Sequence, residues 1–359
     1  MPSGACEPWS RRELRSERLA RVAAAWDSSV MDARSGGRAV VAVVAGVFCA
    51  VLFGCGGKPE PLPSTASSAP DPWAGPARPA SSAPAASTKE PPPSRTGVVV
   101  SSDHTRTLND VEVREVALLR NANPMTIWIY RPARKAPTDR TPLVLIAGAG
   151  TPMFWGMELS DGDRAEHFPW VQRGYAVAAY SLDGGVSDTS NNAAIEVGIS
   201  RFFSAHAGLD NARAALDFVL ANEPDIDKTR VFAVGHSSAA TLALRVGAQD
   251  PRIKATVAFA PVTDVEHHIG ELFSRFNEEG RTILRDSSPM TFADKLRLKP
   301  VFLLNADDDS KIPTAEIERL VDAMKPPHPK SRYVSVPTGD HYDSMIATIP
   351  GAADWASHL

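Results

Sequence analysis

The sequence VFAVGHSSAATLALRVGA at residues 231–248 places one serine, Ser237, between an apolar run and a second apolar segment. The run predicts a short buried strand, and the segment at 239–246 predicts a helix. Gly235 and Ala239 stand two residues before and two residues after the serine. A sharp turn from strand to helix strains the serine backbone and leaves room only for small residues at those two positions. This arrangement is typical of a nucleophile elbow, so Ser237 is the candidate nucleophile.

Around this turn, short apolar runs alternate with amphipathic stretches. Continuous apolar strands separated by helices imply a mostly parallel sheet that helices cover on both faces. The predicted fold class is therefore α/β, a mostly parallel central sheet flanked by helices, with ligand-binding residues at the carboxyl ends of the strands. An antiparallel pair is predicted at 111–119 and 125–130, followed by strands at 143–147, 175–180, 230–234, 255–260, 301–304 and 333–336, and helices at 164–173, 209–221, 239–246, 315–324 and from 341 onward.

Two segments that follow predicted strands carry residues able to serve Ser237. NADDDSKIP at 305–313 offers three consecutive aspartates, and PTGDH after the last strand ends in His341. A serine hydroxyl is too weak an acid to attack unaided, and a histidine oriented by a carboxylate activates it. The sequence therefore predicts a serine, an acid and a histidine in that chain order.

In these motifs the sequence resembles the α/β-hydrolase superfamily, in particular its dienelactone-hydrolase-like and prolyl-oligopeptidase-like members. Members carry G-x-S-x-G, where this chain has alanine in place of the second glycine, and they order their triad serine, aspartate, histidine. Alignment on the D-x-x-I-P ending selects Asp309 as the acid, with Asp307 and Asp308 as alternatives. The resemblance implies that Ser237 is the nucleophile, that His341 is the general base, and that no cofactor is needed.

The neighbours of Ser237 have predicted roles of their own. Ser238 is a competing nucleophile, but His236 and Ala240 would then occupy its flanking positions. The backbone N–H of Ser238, at the start of a helix, is instead a predicted oxyanion donor. His236 is interpreted as a packed residue of the elbow rather than as a base.

The glycine-rich segment AGAGT at 147–151 follows the strand at 143–147 and predicts the second half of an oxyanion hole. The Ala149 amide is the predicted donor, with Gly150 as the alternative. The segment does not match the phosphate-binding patterns G-x-x-x-x-G-K-[ST] or G-x-G-x-x-G. Three apolar residues follow this segment and predict the lining of a substrate pocket: Met153, Phe154 and Trp155. A place in the packed core is an equal alternative for them.

The segment at 262–299 is too long for a simple connection between strands and predicts a small lid. It contains His267 and His268, with Glu271 four residues after the first of them. A third ligand is not evident, and Gly270 argues against a helix across the group, so no metal site is predicted.

The first 55 residues predict a signal region rather than part of the fold. The run AVVAVVAGVFCAVLF at 39–53 is uncharged and follows two arginines, which is typical of a signal peptide. It ends in LFGC, which resembles a bacterial lipobox and implies lipidation of Cys55 and attachment to a membrane. Met31 is the alternative start, because it would give a signal of ordinary length.

Residues 56–97 predict an extended, disordered linker, because 11 of these 42 residues are proline and apolar residues are few. Gly56 follows the lipobox cysteine where lipoproteins of the inner membrane often have aspartate. The predicted location is therefore the cell envelope, with the outer membrane favoured, or secretion. The remaining residues, 98–359, predict a single catalytic domain.

Composition excludes several classes of protein. With 43% apolar and 22% charged residues, the chain is neither a polytopic membrane protein nor disordered throughout. A net charge of −4 gives no basic field for nucleic acid. All three cysteines lie within the first 55 residues, which excludes a disulfide framework or a cysteine-based zinc site in the remainder.

Three functions are compatible with these features. The first is a lipid-anchored serine hydrolase that cleaves small or polymeric carboxylic esters through an acyl-enzyme. The second is a peptidase or amidase with the same fold, although the prolyl-oligopeptidase branch usually carries a propeller for which residues 98–359 leave no room. The third is a non-catalytic binding protein, which would be expected to have lost Ser237, Asp309 or His341.

Overall fold

One mixed sheet of nine strands forms the centre of the structure, a computed structural model that describes residues 98–132, 140–148, 159–185 and 191–359. Its strands are β1 Val98–Leu108, β2 Val111–Arg120, β3 Asn123–Pro132, β4 Thr141–Ala147, β5 Ala176–Tyr180, β6 Ile226–His236, β7 Ile253–Phe259, β8 Val301–Ala306 and β9 Arg332–Val336. Across the sheet the order is β1-β2-β3-β5-β4-β6-β7-β8-β9. The first three pairings are antiparallel and the five from β5–β4 onward are parallel.

From β4 onward, helices alternate with strands along the chain, as expected for this class. They are α1 Arg164–Val171, α2 Asn192–Ser204, α3 Leu209–Asn222, α4 Ser238–Gln249, α5 Val265–Ile269, α6 Glu278–Ser287, α7 Ala293–Leu296, α8 Thr314–Ala323 and α9 Asp343–Ser357. The predicted α/β class, with a mostly parallel sheet flanked by helices, is confirmed.

Outside the segment predicted as a lid, two elements were not predicted from the sequence, β1 and α2. Strand β1 lies at the edge of the sheet and is largely exposed from Val100 onward, so the part of its sequence at 101–108, SSDHTRTL, lacks the apolar alternation that marks a half-buried strand. Helix α2 does carry a signal, because Ile195, Ile199 and Phe202 are buried at helical spacing.

Alternate residues of the central strands pack on opposite faces of the sheet. In β4, Leu143 and Leu145 belong to the core that α3 and α4 cover. Val144 and Ile146 belong to the core that α1 and α9 cover. Fully burying a side chain of this size stabilises a fold by about 1.5–3 kcal/mol. Burial on both faces explains why these strands are continuously apolar.

The parallel pairing brings the carboxyl ends of six strands, β4 to β9, to one edge of the sheet. The loop after β4, the turn after β6, the three aspartates after β8 and the loop after β9 all begin there. In open α/β sheets this edge is where ligands bind. Motifs that are distant in sequence therefore meet at one place.

The segment predicted as a lid, 262–299, contains α5, α6 and α7 together with 3-10 turns at Gly270–Arg275 and Pro289–Phe292. Helix α5 ends before Gly270, which has a φ of +56°. The extent of the lid stays a prediction. Within the described residues, no group of three or more His, Cys, Asp or Glu side chains could hold a metal ion.

The predicted signal region at 1–55, with Cys55, and the predicted linker at 56–97 lie outside the described residues. Among the helices of the described ranges, none has the length and apolar character needed to cross a bilayer.

Candidate active site

Ser237 lies at the junction of β6 and α4 with a strained backbone. Its φ of 55° and ψ of −125° fall in a region that residues with a side chain rarely adopt. Its N–H donates to the carbonyl of Phe259 in β7 at 2.9 Å, which holds the turn in place. A Cβ at Gly235 would lie 2.2 Å from the carbonyl oxygen of Ala239, so only glycine fits there. The turn has the geometry of a nucleophile elbow.

His341 and Asp309 form a hydrogen-bonded pair at the same edge. His341 Nδ1 lies 2.7 Å from Asp309 Oδ2. The side chain of Asp309 is fully buried and that of His341 is 22% exposed. An ionised carboxylate can only accept, so Nδ1 carries the proton and donates. The other ring nitrogen, Nε2, is then the basic atom of the neutral imidazole.

The pKa of Asp309 lies below its ordinary value. Burial by itself would raise this pKa, because it disfavours the charged form. The hydrogen bond and the charge of His341 outweigh burial, helped by backbone N–H donors from Lys311 and Ile312 to Oδ1 at 2.8 and 3.1 Å. The carboxylate is therefore ionised at neutral pH and keeps the proton of His341 on Nδ1.

The other two aspartates of the triplet bind different partners. Asp308 accepts the backbone N–H groups of Gly339 and Asp340, at 3.2 and 2.9 Å, and so anchors the loop that carries His341. Asp307 accepts the hydroxyl of Ser335 at 2.6 Å, away from the histidine ring. Of the three acids proposed from sequence, the structure therefore brings Asp309 to the imidazole.

His236 connects the elbow to the histidine loop. It is the last residue of β6, it is buried, and its Nε2 lies 2.6 Å from the carbonyl oxygen of His341. The two histidine rings pack with centroids 4.6 Å apart. Since His236 directly precedes Ser237, these contacts bring the loop that carries His341 to the elbow.

Among the described residues, no hydrogen bond joins the Ser237 hydroxyl to the His341 ring. In free enzymes such bonds are often long or poorly aligned, and they tighten when substrate binds. The preformed parts of the site are therefore the strained serine and the imidazole–carboxylate pair.

The predicted oxyanion donors divide between described and undescribed residues. Ser238 is the first residue of α4, and the N-terminal end of a helix favours negative charge. The N–H of Gly148, just after β4, donates to the Tyr180 carbonyl at 3.1 Å and so serves the sheet. Four other predicted site residues and one alternative lie outside the described residues: Ala149, Met153, Phe154, Trp155 and Gly150.

Two contacts of this site were not predicted from the sequence. Nothing in the sequence links Asp308 to the backbone at 339–340, because the partners are some thirty residues apart. His236 did carry a signal. A polar ring at the end of a buried strand must find a hydrogen-bond partner, since unpaired buried polar groups are costly.

A strained serine at a strand-to-helix turn, an imidazole–carboxylate pair beside it and a mostly parallel sheet beneath them define an α/β hydrolase of the serine type. The family follows from the sequence. Residues 163–352, more than half of the chain, match the profile of the Prolyl oligopeptidase family, and the chain belongs to that family. No curated protein sequence matches the chain.

Solved structures with a similar fold include esterases and peptidases. Glucuronoyl esterase from Solibacter usitatus matches with a TM-score of 0.54 at 16% identity, over 75% of this chain and 88% of its own. Acetyl xylan esterase from Paenibacillus sp. R4 matches with a TM-score of 0.53 at 15% identity, over 75% and 90%. Acylaminoacyl peptidase from Pyrococcus horikoshii matches with a TM-score of 0.53 at 14% identity, over 69% of this chain, which spans only 40% of the peptidase. At these identities the likeness shows the fold.

Proposed function

We propose that this protein is a serine hydrolase that cleaves carboxylic esters through an acyl-enzyme intermediate. The observation that carries the proposal is the 2.7 Å contact between His341 and the buried Asp309, at the sheet edge where the strained Ser237 stands. These residues are far apart in sequence, and a purely structural role would not require them to meet beside a strained serine.

The acylation half-reaction follows from the geometry. The Ser237 Oγ attacks the ester carbonyl carbon while its proton moves to Nε2 of His341, and a tetrahedral oxyanion forms. The N–H of Ser238 and, as predicted from sequence, that of Ala149 donate to this oxyanion. The imidazolium then gives its proton to the leaving alkoxide oxygen as the C–O bond breaks, which releases the alcohol.

Deacylation repeats these steps with water as the nucleophile. His341 removes a proton from water, hydroxide adds to the acyl carbon, and the collapse of the intermediate returns the proton to the Ser237 oxygen. Asp309 stays ionised throughout and stabilises the imidazolium. The acid product leaves, and the enzyme is restored with no cofactor consumed.

Ester rather than peptide cleavage is supported by the extent of the structural matches. The aligned part makes up 88–90% of the glucuronoyl and acetyl xylan esterases but 40% of the acylaminoacyl peptidase. The alternative, a peptidase or amidase, is supported by the family to which the chain belongs. Both reactions would use the same serine, histidine and aspartate.

Three chromogenic substrates, one ester and two anilides, distinguish an esterase from a peptidase or amidase. The full chain is assayed with p-nitrophenyl butyrate and with the p-nitroanilide of butyric acid, and also with acetyl-alanine p-nitroanilide as a peptide-like substrate. We expect turnover of the ester, with an ester-to-anilide ratio of kcat/KM above the ratio of the uncatalysed hydrolysis rates. A kcat/KM for acetyl-alanine p-nitroanilide above that for the ester would contradict the proposal in favour of a peptidase.

We also propose that the enzyme is anchored to the cell envelope, with the outer membrane favoured, through a lipid on Cys55. The support is the sequence LFGC at 52–55 after an apolar run that follows two arginines. A lipidated cysteine followed by a proline-rich linker would hold the catalytic domain away from the membrane surface.

Labelling with radioactive palmitate in a bacterial host tests the anchor. The wild type and Cys49→Ser are expected to incorporate label, whereas Cys55→Ser should incorporate none. Cys49 is the matched control because it lies in the same apolar run. Equal incorporation by Cys55→Ser and the wild type would refute the lipid attachment.

A further inference from the structure

The ring of His236 makes a directional contact with the backbone of the histidine loop. Its Nε2 lies 2.6 Å from the carbonyl oxygen of His341, and a carbonyl oxygen can only accept. Nε2 therefore carries the proton and donates. The ring is buried, where a hydrogen bond is costly to lose because no water replaces it.

The same ring also packs against the side chains of the loop. Its centroid lies 4.6 Å from that of His341 and 5.9 Å from that of Tyr342, which is nearly edge-on at 70°. On another side, the buried carboxylate of Glu166 in α1 lies 4.0 Å from Nδ1. These contacts lie on several sides of the ring while its Nε2 faces the carbonyl oxygen of His341.

The loop has a second anchor, at the residues directly before His341. Asp308 accepts the N–H groups of Gly339 and Asp340, directly before His341. Asp308 therefore ties the loop to β8, which also precedes Asp309, whereas His236 ties it to β6, which ends at the elbow. The distance between Ser237 and His341 therefore depends on the tie that His236 makes.

We infer that His236 is a positioning residue, which holds the main chain of His341 so that the imidazole Nε2 is presented to Ser237. The inference rests on the proposed function, because it assigns a purpose to the pairing of these two residues. Reacting groups must be held within a fraction of an ångström, and a displacement of about 1 Å can cost roughly 100-fold in rate. The hydrogen bond from His236 sets this distance through the backbone.

Two substitutions separate the hydrogen bond from the packing. His236→Phe keeps an aromatic ring against His341 but removes the donor, whereas His236→Gln keeps an N–H donor at similar reach. We expect His236→Phe to lower kcat on p-nitrophenyl butyrate by about 100-fold with KM changed less than about threefold. His236→Gln should stay within about tenfold of the wild type. Circular dichroism and thermal unfolding check that both variants fold.

A spectroscopic signal tests the contact independently of turnover. The proton shared between His341 Nδ1 and Asp309 gives a downfield NMR resonance, which is assigned by its loss in Asp309→Asn. We expect His236→Phe to shift or broaden this resonance and His236→Gln to retain it. If the wild type hydrolyses no ester but the resonance responds in this way, the proposed function fails and the positioning role stands.

Two results would overturn the inference. One is a His236→Phe variant with an unchanged resonance and wild-type kcat, which would show that the loop needs no donor at this position. The other is an equal loss in His236→Phe and His236→Gln, because the contribution would then come from the histidine ring itself and not from its hydrogen bond.

Discussion

Ser237→Ala is expected to abolish both ester hydrolysis and covalent reaction with a fluorescent fluorophosphonate. Without the hydroxyl, no acyl-enzyme forms, and only oxyanion stabilisation and substrate binding remain. Removal of a triad nucleophile costs on the order of 10⁶-fold in kcat where it has been measured. We therefore expect a loss of at least about 10⁴-fold in kcat, measured with p-nitrophenyl butyrate on the full chain.

Ser357→Ala is the matched control for this substitution. Ser357 is exposed and ends α9, a helix of 15 residues that begins just after His341, so it lies about 20 Å along the helix from the site. This variant should react like the wild type. Labelling that persists in Ser237→Ala would move the nucleophile elsewhere, and mass spectrometry of the labelled peptide would test Ser238 first. A folded wild type that takes up no probe would favour the non-catalytic binding protein.

Asp309→Asn should lower kcat by about 10⁴-fold, the order found when a triad aspartate is replaced by asparagine. The amide has nearly the same shape, but it carries no charge to stabilise the imidazolium and can hold the histidine in the wrong tautomer. The contacts at stake are those of the fully buried carboxylate with His341 Nδ1 and with two backbone N–H groups. The measurement is kcat against pH for the wild type and the variant.

The control is Asp307→Asn, two residues away in the same triplet. Asp307 is exposed and accepts the hydroxyl of Ser335, a role that the amide oxygen of asparagine can take over. We expect a loss of less than about tenfold, because replacing one exposed hydrogen bond costs about 1 kcal/mol or less. Comparable losses in both variants would mean that the triplet acts as a unit and that Asp309 has no special role.

The pKa of Asp309 predicts the form of the pH profile. Because this pKa is held below its ordinary value of 3.8, the carboxylate is already charged throughout the mildly acidic range. A fall in wild-type activity between pH 7 and pH 5 is therefore not expected to arise from protonation of Asp309. The Asp309→Asn variant should therefore show the same fall in kcat between pH 7 and pH 5, although its kcat is much lower at every pH.

Much of the fold could be predicted from local patterns. Buried parallel strands are continuously apolar, so the runs at 143–147, 230–234 and 301–304 are readable without any knowledge of contacts. Strand β1 could not be predicted in this way, since an exposed edge strand needs no apolar face. Its pairing with β2 is made by backbone hydrogen bonds, which leave little trace in the side chains.

By itself, the sequence determined the elbow and the order of its partners. A turn as sharp as that at Ser237 admits only glycine at position 235. This requirement is local, so the five consecutive residues 235–239 are enough to predict the turn. Only the tertiary structure decided which partner each of the three aspartates binds. Asp307, Asp308 and Asp309 are identical and adjacent, and they differ only in the direction each takes from the end of β8. That direction depends on the loop after β9, which reaches the same edge of the sheet because the two strands are parallel.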